Sequence, residues 1–221
     1  MTIDRFPITF RELSSIKRSE LQEYNPSLAA DVMPGHQTMN ASIKPLIRGM
    51  KLLGQARTVL AHGSNGPAMA TIPFMSPGEV IVVDAGARDL HAHWGDITTL
   101  EAKQRGVSGA VIGGAIRDSA EIIKMNFPLF CSARTLQGSP KDPRGAIDVP
   151  VVVGGVTVRP GDVIFGNDDG VVVIPIENVD EVISACRAKR AKEEVWISEI
   201  KSGGSLADAV GVTKPILHDE K

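Results

Sequence analysis

Two short, mainly apolar runs, residues 80–84 and 107–112, flank a segment at 97–105 that is patterned as a helix and closes on Gly106. Strands apolar on both faces belong inside a covered sheet, and parallel neighbours need a crossover of about this length. The order reads as a βαβ unit, and everything else has to pack around it. Downstream come several short β runs at 149–153, 156–158, 163–165 and 171–174, separated by Gly-Gly, Pro-Gly and Asp-Asp-Gly turns. A parallel unit beside a β-rich layer predicts a layered α/β domain rather than a symmetrical doubly wound sheet.

Upstream, residues 10–33 have helical spacing through Leu13, Ile16, Leu21 and Leu28, are punctuated by Asn25-Pro26, and end at Pro34-Gly35. Residues 43–61 turn strand-like, with Gly49 and Gly54 as breaks and 56–61 as the strand. The loop His62-Gly63-Ser64-Asn65-Gly66-Pro67 leads into a short helical stretch to Phe74, and loops of this make-up often border sites. Pro77-Gly78 before one apolar run is echoed by Pro160-Gly161 before another, the same turn chemistry delivering two strands. A long helix runs from Asn178, read as N-cap with Glu181 completing a capping box, to about Ser202. Its stripe of Val179, Val182, Cys186, Lys189, Glu193, Trp196 and Ile200 is apolar except at Lys189 and Glu193. Those two either pair with each other across one turn or face a polar site in this subunit or a neighbouring one. Three segments follow: a helical lead-in (1–42), a core (43–177), and a C-terminal helix and tail (178–221) reaching a neighbouring subunit.

Charge and composition narrow the function. A formal net charge of −2, with no clustered Lys and Arg, argues against nucleic acid as a partner. No apolar run reaches the ~20 residues of a membrane span, and the charged start lacks a secretory core, so the expected location is cytoplasmic. Cys131 and Cys186 share no zinc-type spacing and read as small buried hydrophobes in a reducing compartment.

The chemistry-bearing constellation is Gly113-Gly114-Ala115-Ile116-Arg117-Asp118, just past a buried strand, where the carboxyl ends of parallel strands form ligand crevices. The glycines permit close backbone approach, Arg117 offers a planar fork for a carboxylate, and Asp118 offers oxygens for Mg²⁺ or Mn²⁺. An adjacent Arg and Asp can equally be a surface pair. Trp94-Gly95-Asp96 precedes the helix at 97–105, so Asp96 lies near its N-cap and the amides of Ile97 and Thr98 are available to an anion. His91 and His93 alternate but lack a third partner for zinc. Lys103 and Lys124 have no apolar setting for a Schiff base, His62-Gly63-Ser64 is no nucleophile elbow, and the glycines of 106–114 do not fit a dinucleotide fingerprint.

These residues resemble the class II 4-hydroxy-4-methyl-2-oxoglutarate/4-carboxy-4-hydroxy-2-oxoadipate aldolases, a family related to the regulator of ribonuclease activity A. The matching stretches are Trp94-Gly95-Asp96, Gly106-Val107-Ser108-Gly109, Arg117-Asp118-Ser119-Ala120-Glu121, the run from Gly155 to Asp162, and the run from Asp169 to Pro175. Twenty-one residues separate Gly95 from Arg117. The resemblance implies a β/β/α swivelling-type domain in homotrimers or homohexamers with sites at subunit boundaries. It implies Asp118 as metal ligand, Arg117 on the pyruvyl group, Asp96 reaching the metal through water, and the Ile97 and Thr98 amides, following Gly95, on the pyruvate carboxylate. Glu193 matches a glutamate donated from a neighbour. The chain departs from the family's pattern at Asn167, where an aspartate is common, and in the loop at 63–67, which lacks an Asp-Asn pair.

The expected activity is divalent-metal-dependent cleavage of 4-hydroxy-2-oxo acids to pyruvate and a second 2-oxo acid, with oxaloacetate decarboxylation through the same enolate. The competing reading is a regulator that docks on an RNA-degrading enzyme. The C-terminal helix with Glu193, absent from shorter regulator-type relatives, favours the enzyme.

Overall fold

The two apolar runs at 80–84 and 107–112 lead into or form strands at the centre of a nine-stranded mixed sheet in the computed structural model, which describes residues 2–35, 37–61, 63–86, 91–140 and 144–213. His62, at the head of the Gly-Ser-Asn loop, lies outside those residues. The first half of the chain contains β1 (Ile3–Arg5), α1 (Ser15–Gln22), α2 (Pro26–Val32), β2 (Lys44–Pro45), β3 (Leu52–Leu60), α3 (Gly66–Thr71), β4 (Glu79–Asp84) and α4 (Asp96–Gln104). The second contains β5 (Gly109–Ile116), α5 (Ser119–Lys124), β6 (Leu129–Arg134), β7 (Gly145–Ile147), β8 (Val151–Val153), β9 (Val156–Val158), β10 (Val163–Asn167) and β11 (Gly170–Ile174). The helices α6 (Val179–Lys201) and α7 (Leu206–Ala209) follow.

Strands β3, β4, β5 and β6 run parallel, with Val82 opposite Thr58 on one side and Val111 on the other. The strand–helix–strand reading therefore holds, and it extends to a second crossover through α5 that the sequence reading did not identify. Antiparallel additions close the sheet, β10 on β3, β11 on β10 and β2 on β6. The separate β8–β9 hairpin packs its valines into the same core as Val80, Val82 and Ile112. The expected layered α/β arrangement with a long C-terminal helix is what the chain forms.

Three local expectations need correction. Gly54 does not break a strand. It sits inside β3, where an added Cβ would lie 2.4 Å from the Gly78 carbonyl oxygen, so the glycine is there for close backbone approach. Gly113 and Gly114 likewise lie within β5 rather than beyond it, because Val153 of the hairpin and Ala85 crowd their Cβ positions. The third concerns Asn178. It is the last residue of a 3-10 turn, has helical backbone angles and makes no side-chain cap, so the capping box with Glu181 does not form.

Helical structure in the lead-in begins at Ser15, not residue 10, with Ser14 accepting from the Lys17 amide and Asn25 from the Leu28 amide at 2.7 Å. A second core joins the two ends of the chain. Leu21, Leu28 and Ala29 from α1 and α2 meet Val179, Val182, Ile183 and Cys186 of α6 over Phe165 and Val172 of the sheet. Beyond Cys186 the helix leaves this core, and Lys189 pairs with Asp31 of α2 at 2.8 Å rather than simply with Glu193. Both cysteines are buried, as their spacing suggested, and burial pushes the Cys131 thiol up to about 11. The echoed Pro-Gly turns also hold: Gly78 (φ 88°) and Gly161 (φ 89°) both enter apolar strands.

Candidate functional site

Because β5 continues to Ile116, Arg117 and Asp118 are the first two residues beyond its carboxyl end. The strand end is held from both sides. The Arg117 amide donates to the Trp94 carbonyl at 3.0 Å, and the Thr135 amide to the Ile116 carbonyl at 2.9 Å. The chain then turns sharply, placing Asp118 in the left-handed region at φ 56°, ψ 37°. A non-glycine residue there carries conformational strain, which tends to persist where a side chain must be aimed. Asp118 starts α5 yet makes no side-chain cap, so its carboxylate is not spent on the helix.

Trp94 fixes the neighbouring segment. It is buried against Phe127 with ring centroids 6.3 Å apart, and its indole N–H donates to Thr99 Oγ1 at 2.7 Å. Thr99 in turn donates to the Gly95 carbonyl at 2.8 Å, which locks the first turn of α4. Gly95 is the N-cap of that helix, and Asp96 is its first residue, not its cap. Asp96 Oδ1 already accepts from the Ile97 amide at 2.7 Å, so an incoming anion would have to share or displace that contact. At Gly95 an added Cβ would lie 2.7 Å from Asp118 Oδ2, and at Gly138 one would lie 3.0 Å from Arg117 Nη1. Both glycines let backbone approach the Arg–Asp pair.

Gly95, Asp96, Ile97, Thr98, Arg117 and Asp118 all line one cavity of about 150 Å³. Two larger hollows carry less chemistry. One of about 440 Å³ beside Tyr24 and Phe165 is lined by no carboxylate. The other, of about 810 Å³, has only Asp84, whose two oxygens already accept from Gly86 and Val152 amides. Convergence of charged groups, not volume, singles out the smaller cavity.

In that cavity Arg117 Nε approaches Asp118 Oδ2 at 3.2 Å, with the two side chains 49% and 34% exposed. The surface-pair reading is thus realised in part, but a single guanidinium contact leaves the other carboxylate oxygen and most of the guanidinium fork open to a ligand. Among the described residues no three His, Cys, Asp or Glu gather into a metal cage. The donor set is Asp118, with Asp96 on the same cavity. Such a set fits Mg²⁺ or Mn²⁺, which bind through one or two carboxylates and complete their shell with water and substrate oxygens.

Glu193 is not among the residues lining this cavity and lies half-buried on the distal part of α6. His91 and His93 lie in different settings. His91 contacts Gln137 at 3.1 Å, whereas His93 is fully buried with Nδ1 3.3 Å from the Ser64 carbonyl oxygen. Asn167 accepts from the Asp169 amide at 2.9 Å inside the β10–β11 turn, a local role. Asn65 lines the cavity, and the sequence reading did not single it out. The only signal for it was the composition of its loop.

A family model described as "RraA-like: Aldolase/RraA" matches residues 27–173. A protein of Halalkalibacterium halodurans named "Putative 4-hydroxy-4-methyl-2-oxoglutarate aldolase" is 40% identical over 166 residues, covering 75% of this chain and 79% of its own. The crystal structure of an uncharacterized protein from Pseudomonas syringae pv. tomato superimposes with a TM-score of 0.82 at 29% identity, covering 94% of this chain and 99% of that one. Streptomyces coelicolor RraAS2, described as an unusual member of the RNase ES inhibitor RraA protein family, gives 0.75 at 26% identity over 84% of this chain and 98% of its own.

Proposed function

The chain belongs to the RraA-like family, Aldolase/RraA, and on that premise we propose that it is a divalent-metal-dependent aldolase releasing pyruvate from 4-hydroxy-2-oxo acids. One observation carries the reading: Arg117, a strained and uncommitted Asp118, Asp96 and the first turn of α4 converge on one small cavity. Cleavage next to a ketone leaves an enolate, so the site must stabilise negative charge on the keto oxygen.

Asp118, with Asp96 behind it, would hold Mg²⁺ or Mn²⁺. The bound ion supplies Lewis-acid stabilisation of the enolate oxygen. Arg117 directs its guanidinium at the same oxygen and shares the charge. Amides of Ile97 and Thr98 at the start of α4 orient the pyruvyl carboxylate, the Ile97 amide exchanging its contact with Asp96 for the substrate. Asp96, released from that contact, is placed to accept the proton leaving the 4-hydroxyl through water. Oxaloacetate passes through the same enolate when it loses carbon dioxide, so decarboxylation accompanies the aldolase.

A homotrimer or homohexamer completes this reading. Val195, Ile197 and Ile200 of α6 and Leu206 and Val210 beyond it are exposed, an apolar arm of the kind a neighbouring subunit covers. Glu193 lies on that arm and not on its own chain's cavity, so any role in the reaction is played in a neighbour's site, beside the water that takes the proton. The likeness to RraAS2 supports a second reading, a regulator docking on an RNA-degrading enzyme.

The two readings separate in one assay. The purified protein should release pyruvate from 4-hydroxy-4-methyl-2-oxoglutarate and from oxaloacetate, lose both activities in chelator, and regain them with Mg²⁺ or Mn²⁺. Full turnover after exhaustive chelation sinks the metal mechanism, and no turnover with either metal leaves the regulator.

A further inference from the structure

Among the described residues a single buried side-chain oxygen or nitrogen has no hydrogen-bond partner, and it is Oδ1 of Asn65. Asn65 lines the same cavity as Arg117 and Asp118. Leaving such an atom unsatisfied is costly, and the fold gains nothing visible from it. Asn65 is the N-cap residue of α3, yet its side chain makes no cap bond, and its backbone at φ −86°, ψ −4° suits any residue. Its neighbour does the structural work. Ser64 Oγ donates to the Pro140 carbonyl at 2.9 Å and accepts from the Gly66 amide at 3.1 Å, while the Ser64 carbonyl oxygen lies 3.3 Å from the buried His93 ring. The loop is thus pinned on both sides of a carboxamide that does no pinning, the arrangement expected of a preorganised ligand contact.

The chemistry of the missing partner follows from what the cavity already provides. Carboxylate and keto oxygens of a pyruvyl group are acceptors, served by Arg117 and the α4 amides. Asn65 Oδ1 needs a donor. On a 4-hydroxy-2-oxo acid the neutral donor is the hydroxyl on C4, and a neutral carboxamide can pair with it at no cost in charge.

We propose that Asn65 is a specificity residue that receives the C4 hydroxyl of the substrate and so selects hydroxylated 2-oxo acids over oxaloacetate, which lacks that group. This rests on the aldolase reading above. No covalent bond is made or broken at Asn65: the hydroxyl has one hydrogen, which rests on Asn65 Oδ1 in the bound substrate and turns to the water beside Asp96 before it leaves. A site built around a substrate hydroxyl discriminates strongly through that one contact.

The test compares wild type with Asn65→Leu, which keeps the side chain's shape and removes both polar atoms, in the presence of Mg²⁺. Pyruvate release from 4-hydroxy-4-methyl-2-oxoglutarate and from oxaloacetate is measured alongside thermal unfolding. The expected result is a loss of about tenfold to a hundredfold in kcat/KM for the hydroxylated acid, with oxaloacetate changed by less than about threefold. The unfolding midpoint should hold or rise, because the orphaned oxygen is gone. Asn65→Ala, which adds no bulk, must give the same split between substrates. Equal losses on both substrates, no loss on either, or a lowered midpoint in both variants overturns the assignment of Asn65 while leaving the aldolase standing. A wild-type protein inactive on both substrates removes the assignment and the aldolase together.

Discussion

Asp118 and Asp148 are two aspartates in the same backbone state, at φ 56° and φ 65°, each beside arginine, and they do opposite things. Asp148 is fully buried. Arg57, also buried, grips it through Nε and Nη2, both at 2.8 Å, and Arg5 adds a third contact at 3.5 Å. The Arg57 fork also reaches the Phe74 carbonyl at 3.1 Å, so this aspartate ties β3, β7 and the turn after α3 into one clamp. Asp118 has one contact, from its sequence neighbour, and stands a third open to a cavity. Strain on the backbone is therefore not what marks a site. What marks it is strain combined with a carboxylate whose hydrogen-bonding capacity the fold has not used.

The same substitution at the two positions separates these roles. Asp148→Asn removes the two closest charged contacts of a buried guanidinium, leaving it only Glu79 at 3.5 Å, and should cost about 3 kcal/mol of stability. Chemical denaturation of the variant checks this, and a loss below about 1 kcal/mol would mean the clamp is not the structural element its geometry suggests. Asp118→Asn keeps a residue type that tolerates the left-handed region, so the unfolding midpoint should barely move. Metal-dependent pyruvate release should fall on the order of a thousandfold. If stability dropped and activity persisted, the contrast between the two aspartates would be reversed.

A third aspartate sharpens the comparison at the weak end. Asp180, on the first turn of α6, pairs with Lys17 and with Arg11 at 2.8 Å, but the pairs lie in water. Hydrogen bonds from Lys17 and then Arg11 hold its carboxyl below the ordinary carboxylate range. A depressed pKa in the folded state means the pair stabilises fully above the ordinary value of about 4 and fades as pH falls through the depressed one. Asp180→Asn should accordingly lower the unfolding midpoint slightly at pH 7, and by progressively less as the pH falls below about 4. A difference that persisted undiminished at low pH would show that something other than charge pairing joins α1 to α6 there.

Much of the fold could be read in advance because it depends on short-range pattern. Apolar runs at 80–84 and 107–112, a helix closed by Gly106, and Pro-Gly turns before β4 and β10 each express a local preference that tertiary packing then reinforced. The Arg117-Asp118 pair was legible for the same reason, since it follows a buried strand directly in sequence. The N-terminal strand β1, β6 and β7 were missed. At three residues each, β1 and β7 have too little pattern to register, and they exist because β7 pairs with β3 and β1 with β7.

Three features belonged to the tertiary structure alone. Gly54, Gly113 and Gly114 look like breaks in a one-dimensional reading, and only the approach of Gly78, Val153 and Ala85 explains why a strand continues through them. Asn178 has the residue type of a helix cap, but it closes a 3-10 turn and its side chain makes no cap bond. Asn65 sits thirty residues and more from Asp96 and Arg117, in a loop whose composition pointed to the border of a site but not to this residue. The burial of its Oδ1 without a partner is a property of where the chain goes after β3, and no local pattern encodes a hydrogen bond that the folded chain leaves unmade.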